Sequence, residues 1–157
     1  MKLLFFIPFF ASFMIACSNE HKTSEASTTR SEKYDLEKDT SVYSGEMKRY
    51  WLVLLQKGPN RNHDSISAEK IQAAHMANIN RLADEGKLVT AGPFEDDGEL
   101  RGIFIFNVAT LEEAQALTST DPAFKAGRLT MELHPWYGSA AMMEINSLHE
   151  KLSKKSF

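Results

Sequence analysis

His75 is the residue in this sequence that most needs a chemical explanation. In the stretch Ile71 to Phe94, Ile71, His75 and Ile79 are spaced by four and Leu82 follows seven after His75, so one titratable ring shares a helical face with apolar residues. An imidazole exchanges protons near neutral pH, and a carboxylate placed beside one fixes its tautomer and strengthens it as a base. The structural alternative is a core histidine bonded to a backbone carbonyl. Asp121 has a structural use of its own: standing directly before Pro122, it suits a helix N-cap with proline at the first helical position. The single cysteine, Cys17, excludes an internal disulfide and any multi-cysteine metal site. The chain has no Gly-rich phosphate loop, His-Glu-x-x-His, Gly-x-Ser-x-Gly or CxxC motif, so the sequence gives no support for a cofactor or a bound metal.

The elements that must position His75 follow from hydropathy and breakers. Arg49 to Gln56 is apolar almost without interruption, as expected of a strand inside a sheet. Ser67 is expected to cap the helix that carries His75, and Glu85-Gly86 to end it, glycine following the C-cap. Lys87 to Ala91 reads as a short strand closed by Gly92-Pro93, then Phe94 to Glu99 as a turn that uses Asp96 and Asp97. Ile103 to Val108 is again apolar on both faces. Thr110 with Glu113 makes a capping box for a second helix. Asp121-Pro122 opens a short turn closed by Gly127, and Leu129 to His134 alternates, leaving one wet face from which His134 points. His21 and His63 have no expected site role.

The order is β-α-β-β-α-β, the ferredoxin-like arrangement: an α+β fold with a four-stranded antiparallel sheet and both helices on one face. Its first and third strands are central, which agrees with the two runs that are apolar on both faces. From Ser139 the tail carries Met142, Ile145, Leu148 and Leu152 at helical spacing and reads as an extra C-terminal amphipathic helix.

Ala74-His75-Met76, Gly86-Lys87-Leu88 with Ala91-Gly92-Pro93, Asp121-Pro122 through Ala126-Gly127, and the closing Pro135-Trp136 together resemble the YCII family over about residues 48 to 137. The resemblance implies a ferredoxin-like dimer with a His and Asp pair in a pocket. It carries the pair onto His75 and Asp121 and the pocket rim onto Gly92 and Pro93, while His134 could line a pocket but is not carried over. Some relatives are dehydrochlorinases or resemble muconolactone isomerase. A small lyase or isomerase acting on a cyclic or aromatic substrate is therefore one expectation; a binding or interaction domain without turnover is the other.

The ends carry different information. After Met1-Lys2 an uncharged, mostly apolar run reaches Ala16, long enough for a signal-peptide core and short for a membrane-spanning helix. Ile15-Ala16-Cys17-Ser18 resembles the lipobox of bacterial lipoproteins, so residues 1–16 are expected to be a leader and Cys17 the lipidated anchor in the cell envelope. Residues 17–46 are rich in Ser, Thr, Glu and Lys, a composition expected of a flexible tether spanning on the order of 30 Å. That leaves 47–138 as the domain and 139–157 as the added helix. With 157 residues, 43% hydrophobic and a formal net charge of -3, the chain is an ordinary globular composition with no basic excess to favour nucleic acid. Its expected partners are a second copy of itself, a small-molecule ligand and, through Cys17, a membrane. A second copy is also the expected cover for the sheet face away from the helices, where residues of the first and third strands remain large and apolar; the tail helix is the competing cover.

Overall fold

The run from Met47 to Lys57 becomes the spine of the sheet. The computed structural model describes residues 35, 38, 39, 42–43 and 47–153; the leader, Cys17 and most of the tether lie outside them. In chain order the elements are β1 (Val42–Tyr43), β2 (Met47–Lys57), α1 (Ser65–Asp84), β3 (Leu88–Pro93), β4 (Leu100–Phe106), α2 (Leu111–Thr118), α3 (Pro122–Lys125), β5 (Leu129–Ser139) and α4 (Ile145–Leu152), the last preceded by a 3-10 turn at Ala140–Glu144. The sheet runs β5-β2-β4-β3, antiparallel throughout, with β2 and β4 in the middle as the two apolar runs require. With α1 over β3 and α2 over β5, this is the ferredoxin-like β-α-β-β-α-β unit. The sheet also reaches back past Met47: β1 pairs with Lys48 and Met47.

Several boundaries differ from the sequence reading for local reasons. The cap of α1 is Asp64, whose carboxylate accepts from Ser67 N at 2.9 Å and from Ser67 Oγ at 2.7 Å, so Ser67 sits in the first turn as the donor. Those bonds hold the Asp64 carboxyl below its usual range. Thr110 and Glu113 do form the reciprocal box that starts α2. Gly86, at φ 66, takes the left-handed turn that lets the chain reverse from α1 into β3. β5 continues five residues past His134, because its register against β2 holds from Lys57↔Leu129 to Met47↔Ser139. Pro135 is tolerated there on an edge strand.

The sheet separates two apolar clusters. Under the helices, Val53, Leu55, Leu82, Leu88, Phe104, Phe106, Val108 and Ala114 form the main core. On the opposite face, Tyr50, Val89 and Ile105 are covered by Leu52, Trp136, Met142, Met143 and Ile145. The tail thus folds over one end of that face. Asn146 Nδ2 donates to Leu88 O at 2.8 Å and Tyr50 Oη donates to Ser139 O at 3.0 Å, which pins the tail at both sides. Leu54 and Ile103, partners in register at the other end of the face, stay half-buried, while Leu148 and Leu152 are exposed.

Stopping the chain at Gly138 would uncover Tyr50, Val89 and Ile105. The tail residues lost from that cluster, Met142, Met143 and Ile145, are half-buried; at up to about 1.5–3 kcal/mol each for full burial the expected loss is about 3 kcal/mol, with melting still cooperative because the main core is on the other face. A thermal melt of the shortened chain checks this; an unchanged midpoint would show that the tail adds nothing to stability.

Candidate functional site

Apolar spacing along α1 turns His75, Asn78 and Leu82 inward, and all three are buried. The ring of His75 stacks on Phe104 of β4, with centroids 5.9 Å apart and planes at 25°. Its Nδ1 lies 2.8 Å from Asp121 Oδ2, and the two side chains are 10% and 1% exposed. The partner is a carboxylate and not a backbone carbonyl. Asp121 reaches this position because its other oxygen, Oδ1, caps α3 by accepting from Ala123 N at 2.7 Å and Phe124 N at 3.3 Å. The capping and pairing roles that the sequence leaves as alternatives are therefore filled together, one oxygen each.

Two further contacts hold the pair in register. One rung below His75, Asn78 Oδ1 accepts from Thr120 Oγ1 at 3.0 Å and from Arg81 Nη2 at 2.8 Å, so α1 is bonded to the residue before Asp121 as well as to Asp121 itself. At the far end of α3, Asn60 N donates to Gly127 O and Gly58 N to Arg128 O, each at 2.9 Å. A side chain on Gly58 would bring a Cβ within 2.2 Å of Gly127 O, so only glycine allows that approach. Neither Asn78 nor Thr120 was legible as a site residue, although Asn78, three residues after His75, falls on the same helical face.

A carboxylate only accepts hydrogen bonds, so the neutral imidazole carries its proton on Nδ1 and presents Nε2 as a lone pair. Nε2 has no partner among the described residues. Nor is it among the fully enclosed polar atoms that lack one, which are Trp51 Nε1, His63 Nδ1 and Asn78 Nδ2. The arrangement gives one oriented nitrogen able to accept or return a proton, with an aromatic platform under the ring.

His134 is not gathered with the pair. His134 projects from the face of the sheet opposite His75, paired in register with Leu52, and its Nε2 meets Glu132 Oε1 at 3.1 Å. Gly92 pairs with Ile103 and Pro93 with Gly102 at the end of edge strand β3, Pro93 exposed. His63 is half-buried in the loop before α1. Asp96 and Asp97 are turn residues: Asp96 Oδ1 accepts from Gly98 N at 3.1 Å and Asp97 Oδ1 from Arg101 Nη1 at 3.0 Å. Among the described residues no group of three or more His, Cys, Asp or Glu side chains is placed to hold a metal ion.

A family model for the YCII-related domain matches residues 50–137, more than half of the chain. No curated protein matches. Among solved structures, 5-chloro-2-hydroxyhydroquinone dehydrochlorinase from Burkholderia phenoliruptrix AC1100, in complex with 2,5-dihydroxybenzoquinone, aligns with a TM-score of 0.42 and 20% identity, covering 55% of this chain and 92% of that one.

Asp121→Asn separates the two duties of the carboxylate. The amide oxygen still caps α3, while its NH2 group faces His75 and donates, so His75 must accept at Nδ1 and move its proton to Nε2. Nitrogen-15 NMR of the His75 ring reads the tautomer directly: Nδ1-H in the parent and Nε2-H in the variant, with melting lowered by no more than about 2 kcal/mol. The same tautomer in both proteins would mean that Asp121 does not orient the ring.

Proposed function

The chain belongs to the YCII-related family, and on that premise we propose that it is a small lyase or isomerase in which His75 moves a proton on a cyclic or aromatic ligand while Asp121 holds the ring. The observation that carries this reading is the 2.8 Å contact between His75 Nδ1 and Asp121 Oδ2. It commits one ring nitrogen to orientation and leaves the other for chemistry, the division of labour a general base requires. A proton taken at Nε2 from a carbon next to a carbonyl, and returned to another atom or balanced by loss of a leaving group, gives isomerisation in the first case and elimination in the second. Nothing in either route requires a cofactor.

A second reading is favoured by one feature: Asp121 is only 1% exposed and caps α3, as a purely architectural carboxylate would be. On that reading the domain binds a small ligand, or only its partners, without turnover. A thermal-shift screen of small cyclic acids and lactones finds a ligand, since one at about 100 times its Kd adds about 2.7 kcal/mol, and turnover of that ligand separates the two readings. His75→Gln is expected to leave the melting temperature near that of the parent and to abolish proton exchange or turnover of a ligand found this way. Strong destabilisation with ligand binding intact would assign His75 to packing.

The proposal includes the setting of the domain. It acts as a homodimer held outside the cytoplasm by lipid on Cys17, its copies meeting on the half of the sheet face where Leu54 and Ile103 remain partly uncovered. Leu54 and Ile103 are half-buried there beside Glu132 and His134, and the tail occupies the other half. Sedimentation equilibrium of the mature chain at micromolar concentration is expected to give a dimer, and Ile103→Glu a monomer; a monomeric parent would overturn this part.

A further inference from the structure

Asn78 holds a hydrogen-bond donor that the fold leaves over. The residue is 8% exposed and stands three positions after His75 on the inward face of α1, a spacing that puts Cβ atoms about 5–6 Å apart. Its amide oxygen accepts from Arg81 Nη2 at 2.8 Å and from Thr120 Oγ1 at 3.0 Å. A guanidinium only donates, so the atom it meets has to be the oxygen, and the NH2 group is thereby fixed on the other branch of the amide. That Nδ2 is enclosed and has no partner among the described residues. A buried donor left unpaired is costly, and the fold does not itself repay this one. The other two enclosed atoms of this kind, Trp51 Nε1 and His63 Nδ1, belong to β2 and to the loop before α1.

His75 and Asn78 are anchored alike. His75 turns Nδ1 to Asp121 and Asn78 turns Oδ1 to Thr120, consecutive residues of the link between α2 and α3. In each side chain the second polar atom diverges from the first, so His75 Nε2 and Asn78 Nδ2 are both directed away from that link, one helical turn apart. One is an acceptor and the other a donor.

From this pairing we infer that Asn78 Nδ2 binds the ligand's oxygen, and that the ligand is a cyclic carbonyl compound with an acidic C–H beside its carbonyl carbon. This rests on the reading of His75 as the general base. When Nε2 takes that proton, the C–H electron pair forms a C=C bond and the carbonyl π pair moves onto oxygen. The enolate oxygen accepts from the Nδ2–H already in place, which stabilises the charge as it develops. Return of the proton from Nε2, to the same carbon or to another, completes the exchange or the isomerisation. Because Nδ2 is enclosed, a ligand reaches it only by displacing the side chains over it, and the bond it then makes is shielded from water.

Cyclohexane-1,3-dione, largely an enolate at neutral pH, is the binding probe, used with the chain from Ser18, which keeps every described residue. Nitrogen-15 NMR is expected to show the Asn78 side-chain NH2 signals shifted by the dione and the His75 ring protonated on both nitrogens. Asn78→Asp keeps an acceptor for Arg81 and Thr120 but removes the donor, and Asn78→Ala removes both. Each should weaken the dione more than about tenfold. In both unliganded variants His75 should still carry its proton on Nδ1, a readout that separates lost binding from a displaced pair. Asn78 signals that stay in place, a variant that binds the dione as the parent does, or a ring that loses its Nδ1 proton overturns the proposal. Deuterium exchange into cyclohexanone beside its carbonyl tests the base separately: it should vanish in His75→Gln and slow about a hundredfold or more in Asn78→Ala. Exchange that needs His75 but is unchanged in Asn78→Ala overturns the donor and keeps the base. Exchange absent from the parent, or indifferent to His75→Gln, overturns the base, while the shifted Asn78 signals still report the donor.

Discussion

The two oxygens of the Asp121 carboxylate do what two residues usually share. One closes the first turn of α3 and the other sets the ring of His75, so the helix start and the ring angle are a single geometric event. A capped helix start is among the better-determined points of a fold, since its orphan N–H groups must be satisfied somewhere. Fastening the imidazole to such a point gives it a precise angle without a loop to hold it. The rest of the helix layer reinforces that point: the Asn78–Thr120 bond ties α1 to the same short linker, and the loop at Gly58 to Asn60 fixes the other end of α3.

Much of this was legible because the sheet imposes a strong pattern. Tyr50 to Leu55 and Ile103 to Phe106 had to be central strands, as neither has a face that suits water, and the topology places them there. Gly86 and the Thr110–Glu113 box marked helix ends by chemistry that acts within four residues. The start of α1 was harder to read, because Asp64 and Ser67 are both good caps and sit three apart; the helix begins at the earlier one and uses the other as a donor. The length of β5 was hidden by Pro135, a residue that argues against a strand except at an edge.

The candidate site divides in the same way. His75 was visible from periodicity, since a titratable ring among apolar residues on one face stands out. Its bond to Asp121 spans 46 positions, and no local pattern reports a contact of that range. For His134 the alternation of β5 showed correctly that it lies on the wetter side. It could not show that this side faces away from His75, because that depends on which face receives the helices. Thr120 is a residue that turns commonly contain, and its use as a strut exists only once α1 lies alongside.

Lys48 extends the body of the domain back to Asp39. The residue is 4% exposed, and its ammonium lies 6.0 Å from the centre of the Tyr50 ring and is bonded to Asp39. An enclosed ammonium stripped of its counter-ion is costly, so Asp39 is fastened to the body even though its neighbours have the composition of a loose chain. A fragment trimmed back to Met47 would therefore leave Lys48 enclosed without the carboxylate that faces it.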